Sequence, residues 1–480
     1  MKKAKIIATL GPASDNEEIM EAMVRAGVNV FRLNFSHNSH EYHAQNVAKI
    51  RSVEKKVGFH IGILQDICGP KIRIGELEAP FELKAGDRLD IYAKEQIGTQ
   101  IAPHHYALSI NQPQILPMLK AGEYVYLYDG IIRARVAHSG NDVVQTVIEN
   151  DGTLSSKKGV NFPNTVLGID VITPKDRADM EFGATLGVDF VAISFVQSAN
   201  DIIKAKKILR ASGSHAHVLA KIEKFDAVEN IDSIIDESDG IMVARGDLGI
   251  EVPFYKVPSI QKLIIKKANE AAKPVITATQ MLLSMTRNET ATRAEISDVA
   301  NAVLDGTDAV MLSEESAVGI NPVAVVRAMS HTILEAQEIY AYNRFKHENH
   351  DSTDIMAESA VRLAAQLNAD KIIALTSSGK LAVQMARYRP NIDILAVTHN
   401  INTARYLTLC WGIGQSLVIA EEAKLHTLMA KAIKSGVDCG AIKLDGTYIM
   451  TAGYPTGVSG TTNLIRMLKD EQISYYLLDA

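Results

Sequence analysis

Short apolar, β-branched runs alternate with longer stretches of three-and-four spacing over most of residues 1–340, the pattern that βα units require. The runs are AKIIATLG, VNVFRLNFS, HIGILQDI, VDFVAISFV, HVLAKIE, GIMVARGD, PVITATQ and AVMLSEE. They number about eight, enough to close a parallel βα barrel. Between them NEEIMEAMVRAG, EYHAQNVAKIRSVEKKV, PKDRADMEFGATLG and SIQKLIIKKANEAAK read as amphipathic helices. From Lys71 to Leu167 the rhythm changes to short alternating runs (DRLDIYA, EYVYLYDG, IIRARVA, VVQTVIE) broken by Gly, Asp and Asn. An all-β insert between the third strand and its helix is expected, placed to act as a lid. Beyond Asp351, KIIALTSSG, IDILAVTH, QSLVIA, TYIMTAG and ISYYLLD are expected as strands alternating with helices such as ESAVRLAAQLN and KLAVQMARYR, an open α/β domain. The expected fold is therefore α/β: a (βα)8 TIM barrel over 1–70 and 168–345, an inserted β-barrel lid over 71–167, and a C-terminal open α/β domain over 346–480.

Composition narrows the function classes. The 480 residues are 47% hydrophobic and 22% charged, and 50 basic against 56 acidic side chains leave a formal charge of -6. No global field favours nucleic acid or anionic lipid. The first apolar run ends at Gly11 and Pro12, too early for a signal peptide or a membrane span. Three widely separated cysteines, Cys68, Cys410 and Cys439, suggest neither a disulfide framework nor a zinc site, and fit a reducing cytoplasm.

Barrel enzymes of this kind place their chemistry at the C-terminal ends of the strands. There the sequence puts Arg32, Asn34, Ser36, Asp66, Lys221, Glu223, Asp247, Thr279 and Ser313. In HVLAKIE, strand alternation sends Lys221 and Glu223 to one face and Val218, Ala220 and Ile222 to the other. Two readings stay open. Cα atoms two apart on a strand lie roughly 6.5 Å from each other, so the two charges could form an internal ion pair. Alternatively, Glu223 holds a metal and Lys221 faces a separate anion. Glu223 and Asp247 offer two hard oxygen ligands on neighbouring strands, suited to magnesium, while Arg32, Arg73 and Lys221 add positive charge, as phosphoryl transfer demands. The glycines of GDLG could present backbone N–H groups to a carboxylate or phosphate. No Walker or GxGxxG motif is present.

VFRLNFSH, GPKIRIG, LAKIEKFDAV, MVARGDLGIE, TATQMLLSMT and DGTDAVMLSEESAVG, in this order, resemble the pyruvate kinase family over essentially the whole chain. The resemblance implies transfer of a phosphoryl group from phosphoenolpyruvate to ADP, giving pyruvate and ATP, the last step of glycolysis. It implies Mg2+ (or Mn2+) held by Glu223 and Asp247. Lys221 would neutralise the phosphoryl group, Arg32 touch its oxygens, and Thr279 lie near the substrate carboxylate and the proton route to the enolate. Gly246 and Asp247 would offer main-chain N–H groups. Asn34, His37, Arg73 and Lys158, with Tyr42, match nucleotide-side positions, though His37 and Tyr42 also suit ordinary packing.

Many members bind potassium at positions matching Asn34, Ser36, Asp66 and the Ile67 carbonyl, with an acidic residue where this chain has Lys71. A tethered ammonium there could replace the mobile ion, so no potassium requirement is expected; a solvent-exposed hinge lysine is the alternative. Asn38 and Glu314 also depart from the family's small residues. TSSGKLAVQMARYRP resembles an effector loop, with Thr376, Ser377, Ser378, Gly379 and Lys380 as candidates for a phosphorylated sugar or nucleotide, unless these are ordinary strand-to-helix turns. A cytoplasmic homotetramer is implied. A magnesium-dependent aldolase or lyase, or a non-catalytic metabolite sensor, remain the rival readings.

Overall fold

The computed structural model describes residues 2–163, 165–345, 351–456, 458 and 460–478. Eight parallel strands form a closed barrel: β1 (Lys5–Thr9), β2 (Val30–Asn34), β3 (Gly62–Asp66), β4 (Phe190–Ile193), β5 (His217–Ile222), β6 (Gly240–Ala244), β7 (Val275–Ala278) and β8 (Ala309–Leu312). All eight runs singled out in the sequence supply one strand each.

The side-chain parity of these strands decides what the barrel can carry. Ile7, Val30, Leu64, Phe190, Leu219, Met242, Ile276 and Ala309 belong to one buried cluster, whereas Ile6, Phe31, Ile63, Val191, Val218, Ala220 and Ile222 belong to a second that includes the surrounding helices. Two residues beyond the inner apolar positions, still on the same face, come Thr9, Arg32, Asp66, Ala192 and Lys221. The barrel thus changes from apolar to charged along its axis. Capping boxes at Thr173/Asp176 and Thr292/Glu295 start two of the outer helices at fixed points.

The segment between β3 and the helix Pro174–Leu186 folds as a seven-stranded sheet and a separate two-stranded ribbon, Phe81–Leu83 with Gly152–Leu154. The β-barrel expected for this insert is not closed: the sheet runs from one edge at Val160–Asn161 to another at Thr99–Ala102. One neighbouring pair in it, Arg88–Tyr92 with His105–Ser109, is parallel. Alternation revealed strands here but not their pairing.

The C-terminal sheet has the order β11-β10-β9-β12-β13, with β9 (Lys371–Leu375), β10 (Asp393–Thr398), β11 (Ile413–Val418), β12 (Tyr448–Gly453) and β13 (Thr462–Leu468). β13 alone is antiparallel to its neighbour. The expected strand ISYYLLD is instead part of a helix, Asp470–Leu478, and its last residue lies outside the described residues. Ile473 and Tyr476, one turn apart, are its buried positions, and the Tyr476 hydroxyl lies 3.6 Å from Met429 Sδ on the helix Leu425–Asp438. An amphipathic turn satisfied by tertiary packing overrides the strand preference of Ile and Tyr.

The barrel and the C-terminal domain meet through buried ions. The Arg389 guanidinium, 2% exposed, reaches Asp308 Oδ2 at 3.0 Å and the Gly306 carbonyl at 2.7 Å. Arg405 Nη2 donates to Glu54 Oε2 at 2.7 Å, and Ile61 N donates to Oε1 at 3.0 Å. Burial pushes the Glu54 carboxyl up, but hydrogen bonds from His60 and Arg405 and the charge of Arg51 outweigh it and hold the group at about 2. Because the folded value lies below that of the unfolded chain, about 4.3, this stabilisation is complete above that pH and is lost as pH falls towards 2. Glu54→Gln is expected to destabilise the protein by about 2–3 kcal/mol at neutral pH, with the difference shrinking from pH 5 downward. Urea unfolding of both proteins across pH checks this, and a constant difference would contradict it.

Candidate active site

Lys221 and Glu223 leave the end of β5 on the inner face, and Lys221 is the hub of the rim. Its Nζ lies 2.9 Å from Glu223 Oε1 and 3.1 Å from Asp66 Oδ1, and donates to Ser194 Oγ at 2.7 Å. Asp66 at the end of β3 in turn accepts from Arg32 Nε at 2.7 Å, and Arg32 Nη1 donates to Thr9 Oγ1 at 2.9 Å. Phe195 N–H donates to Glu223 Oε2 at 2.8 Å. Five strands therefore share one network, and the internal ion pair that the spacing allows is present.

Burial makes the charge balance strict. The Lys221 and Arg32 side chains are 12% exposed, and those of Asp66 and Glu223 are 2% exposed. Burial pulls the Lys221 ammonium down, but Asp66 and Glu223 override it and hold it above the ordinary lysine value. Burial pushes Asp66 up, yet Lys221 and Arg32 bring it below the usual carboxylate range. Glu223 differs: burial raises it, Lys221 only partly opposes this, and the nearby Asp247 charge raises it further. Two cations thus face three carboxylates, and the excess negative charge sits between Glu223 and Asp247. That donor set fits a hard divalent cation. Among the described residues no group of three His, Cys, Asp or Glu could hold a metal. The protein would supply two oxygens, and substrate or water the others, the habit of magnesium.

Asp247 is not a strand residue. β6 ends at Ala244, and Asp247 lies in the first turn of the helix Arg245–Glu251. Thr279 follows β7 with φ +72°, a left-handed conformation costly for a β-branched residue, of order 1–3 kcal/mol. Its hydroxyl accepts from Gly246 N at 2.8 Å and donates to the Ala278 carbonyl at 2.6 Å, while Arg245 Nη2 donates to its own carbonyl at 2.8 Å. Arg245 is further fixed by Asp298 at 2.7 Å. The Gly246 N–H is thus engaged by Thr279 here. Asn38 has φ +65°, a left-handed conformation that asparagine tolerates, so the turn forms without glycine at this position.

Of the remaining candidates, Ile67 joins this network through Ser194, and the others have surroundings of their own. Asn34 accepts from Ser36 N at 3.1 Å, and the Ile67 carbonyl accepts from Ser194 Oγ at 2.7 Å. Lys71 is exposed on the hinge and lines a narrow space between lid and barrel with Asp247, Lys224 and Glu251. Lid residue Asn161 donates to Glu251 Oε1 at 3.1 Å across that space. His37 and Arg73 are exposed, Arg73 Nη1 donating to the Lys157 carbonyl at 3.0 Å, and Lys158 Nζ stands 4.1 Å from the Tyr128 ring centre. Tyr42 donates to Asp15 Oδ2 at 3.0 Å. Glu314 is exposed, in the first turn of the helix Glu314–Ala317. In the C-terminal domain, Thr376, Ser377, Ser378 and Lys380 line a cavity of about 390 Å3, and Gly379, at φ +84°, precedes the helix Lys380–Arg387. Lys380 Nζ reaches Asp351 Oδ2 at 2.6 Å.

Sequence reasoning missed Ser194, Thr9 and Arg245. Parity with Phe190 and Ala192 could have placed Ser194 inside, since all three lie two apart; the role of Arg245 depends on β7 and on Asp298, far away in the chain.

A closed parallel barrel with a buried lysine and paired carboxylates at its C-terminal rim, roofed by a β lid, defines a phosphotransferase. The family model for "Pyruvate kinase, barrel domain" matches residues 1–326, and that for "Pyruvate kinase, alpha/beta domain" matches residues 354–468. The chain is 41% identical over 479 residues to a pyruvate kinase of Geobacillus stearothermophilus, covering 97% of this chain and 80% of the relative. It is 40% identical over 476 residues to one of Staphylococcus aureus, with the same coverage. A crystal structure of a pyruvate kinase from Cryptosporidium parvum superposes with a TM-score of 0.91 at 34% identity, covering 98% of this chain and 96% of that one. The chain belongs to the pyruvate kinase family, and its reaction moves a phosphoryl group from phosphoenolpyruvate to ADP. No described helix is long and apolar enough to cross a membrane.

Asp66 is the anion that Arg32 and Lys221 share. Asp66→Ala is expected to leave two buried cations short of a counter-charge and to cost about 3–5 kcal/mol, measured by urea unfolding; a loss below 1 kcal/mol would show the network to be dispensable for folding.

Proposed function

We propose that Glu223 and Asp247 hold a magnesium or manganese ion beside Lys221, and that this cluster carries the transfer step. What supports the assignment is the charge imbalance itself. Glu223 is paired with Lys221, yet burial and the added charge of Asp247 still raise it, so three carboxylates against two cations leave net negative charge for a divalent ion to offset. The metal when bound would offset the charge on the phosphoryl and enolate oxygens. Lys221, held protonated by Asp66 and Glu223, presents fixed positive charge on the path of the moving group and needs no reorganisation as charge shifts. Arg32, oriented by Asp66 and Thr9, binds the phosphoryl oxygens. Thr279 is held in its strained conformation with its hydroxyl at the rim, on the proton route to the enolate; the Asp247 N–H, and the Gly246 N–H once it leaves the Thr279 hydroxyl, orient the substrate carboxylate. Asn34, His37, Arg73 and Lys158 face the nucleotide as the lid, 71–167, closes over the barrel.

Lys71 takes the place of a potassium ion in this proposal. The support is a lysine beside the cleft where relatives that bind potassium carry an acid. Thr376, Ser377, Ser378, Gly379 and Lys380 bind a phosphorylated effector in the third domain, 346–480, supported by the cavity that Thr376, Ser377, Ser378 and Lys380 line. The assembly is a cytoplasmic homotetramer, for which the exposed Phe254 and Tyr255 offer apolar surface.

Lys221→Met is expected to lower turnover by about 10²–10³-fold or more while manganese binding, followed by paramagnetic resonance, stays within a few-fold. Pyruvate release from phosphoenolpyruvate with and without ADP is the assay; ADP-independent release would favour a lyase, and no release a metabolite sensor. Activity in potassium-free sodium buffer is expected to equal that with potassium, and Lys71→Glu to create a potassium requirement. A steep potassium dependence of the unaltered protein would reject the role of Lys71.

A further inference from the structure

Lid and barrel meet on one short helix. Asp247 and Glu251 stand four residues apart on the helix Arg245–Glu251, so they share a face about 6 Å apart along its axis, and both line the narrow space beneath the lid. The transfer step uses only the first of them. Yet Glu251 is 4% exposed, and both of its carboxylate oxygens are engaged. Oε2 pairs with Lys224 Nζ at 3.2 Å, and Oε1 accepts from Asn161 Nδ2 of the lid at 3.1 Å.

Each partner ties a different element to that carboxylate. Lys224, itself buried, directly follows Glu223 at the end of β5, and Asn161 lies on the lid's edge strand Val160–Asn161. A second lid contact falls one residue away. The lid turn at 128–130, with φ of +52°, +55° and +82°, brings Gly130 so close to Ile250 that a Cβ on Gly130 would stand 3.4 Å from Ile250 Cγ2. The rest of the helix is held from the barrel: Arg245 bonds Asp298 and the Thr279 carbonyl, and Leu248 is buried in the barrel core. With seven residues the helix has fewer than two full turns and is too short to bend between its ends. Whatever holds Ile250 and Glu251 therefore also sets the direction of Asp247.

We propose, on the assignment of Asp247 to the metal made above, that Glu251 is a positioning residue through which the seated lid fixes the metal carboxylates. Its charge is shared between Lys224, which steadies the chain beside Glu223, and Asn161, which reaches it only while the lid is down. When the lid lifts, Asn161 and Gly130 leave together, the end of the helix loses both lid contacts, and Asp247 loses its fixed direction. Lid seating and metal placement are then one event, and the divalent ion is gripped fully only beneath the lid.

Hydrogen–deuterium exchange of the intact protein, with manganese titration followed by paramagnetic resonance, provides the test. In Asn161→Ala the amides of residues 245–252 should exchange about fivefold faster or more, and manganese should bind about tenfold more weakly, although Asn161 lies in a different domain from Glu223 and Asp247. Glu251→Ala should do the same, and the double variant should lose no more than Glu251→Ala alone. Thr153→Ala, whose hydroxyl bonds Glu82 within the lid, should change neither quantity. If Glu251→Ala fails to fold because Lys224 is left buried without its acid, Asn161→Ala carries the test. Manganese binding unaffected by Asp247→Asn would defeat the metal assignment and this proposal with it. A weakening in Asp247→Asn combined with unchanged exchange or unchanged affinity in Asn161→Ala, or with additive losses in the double variant, overturns the proposal alone.

Discussion

The structure is organised around one buried ammonium. Lys221 is tolerable inside the barrel only because Asp66 and Glu223 reach it from two strands, and Asp66 is in turn tolerable only because Arg32 takes its other oxygen. Each of these groups would be costly alone. Together they form a chain in which three carboxylates, Asp66, Glu223 and the nearby Asp247, outnumber two cations, and the proposed metal would offset the excess. The site is preorganised in the sense that its positive charge already has its orientation before substrate arrives.

Such a network needs strand ends held at sub-ångström register, which a closed barrel supplies. With no free edge, each strand is positioned by two neighbours, and the apolar belt of Leu64, Phe190, Leu219, Met242 and Ile276 below the rim prevents any strand from sliding. A slip of one residue would turn Lys221 outward among the helices and Ile222 inward. The strain at Thr279 is carried by Arg245, which bonds the carbonyls of Ala278 and Thr279 and is itself fixed by Asp298. Rigid support of this kind allows the lid to attach lightly, with Asn161 to Glu251 as one contact across the cleft.

The far end of the barrel obeys different physics. There charged groups join two domains, and Arg389–Asp308 and Arg405–Glu54 are well answered pairs. Thr403, on the same short helix as Arg405, donates to the Ser377 carbonyl at 2.9 Å, so the loop beside the C-terminal cavity, the domain joint and the start of β3 are mechanically continuous. Lys2 and Lys5 differ in this setting, since their described partners are carbonyl and amide oxygens, not carboxylates.

Much of this was legible in the sequence. Eight β-branched runs with helical intervals specified the barrel, because periodicity is a local consequence of which side of an element is buried. Strand parity in HVLAKIE placed Lys221 and Glu223 together for the same reason. Other features were decided only by the folded chain. The stretch ISYYLLD became a helix because Ile473 and Tyr476 found a partner helix, and the lid sheet stayed open because strand pairing is a long-range choice that alternation does not encode. Asp247 moved from a strand end to a helix turn, and Ser194, Thr9 and Arg245 joined the site from distant positions. Local hydrophobic spacing determined which elements form and which faces they bury; which distant charges meet, and so which of them are left unanswered, was settled by tertiary packing, because electrostatic balance depends on distance in space and not on separation along the chain.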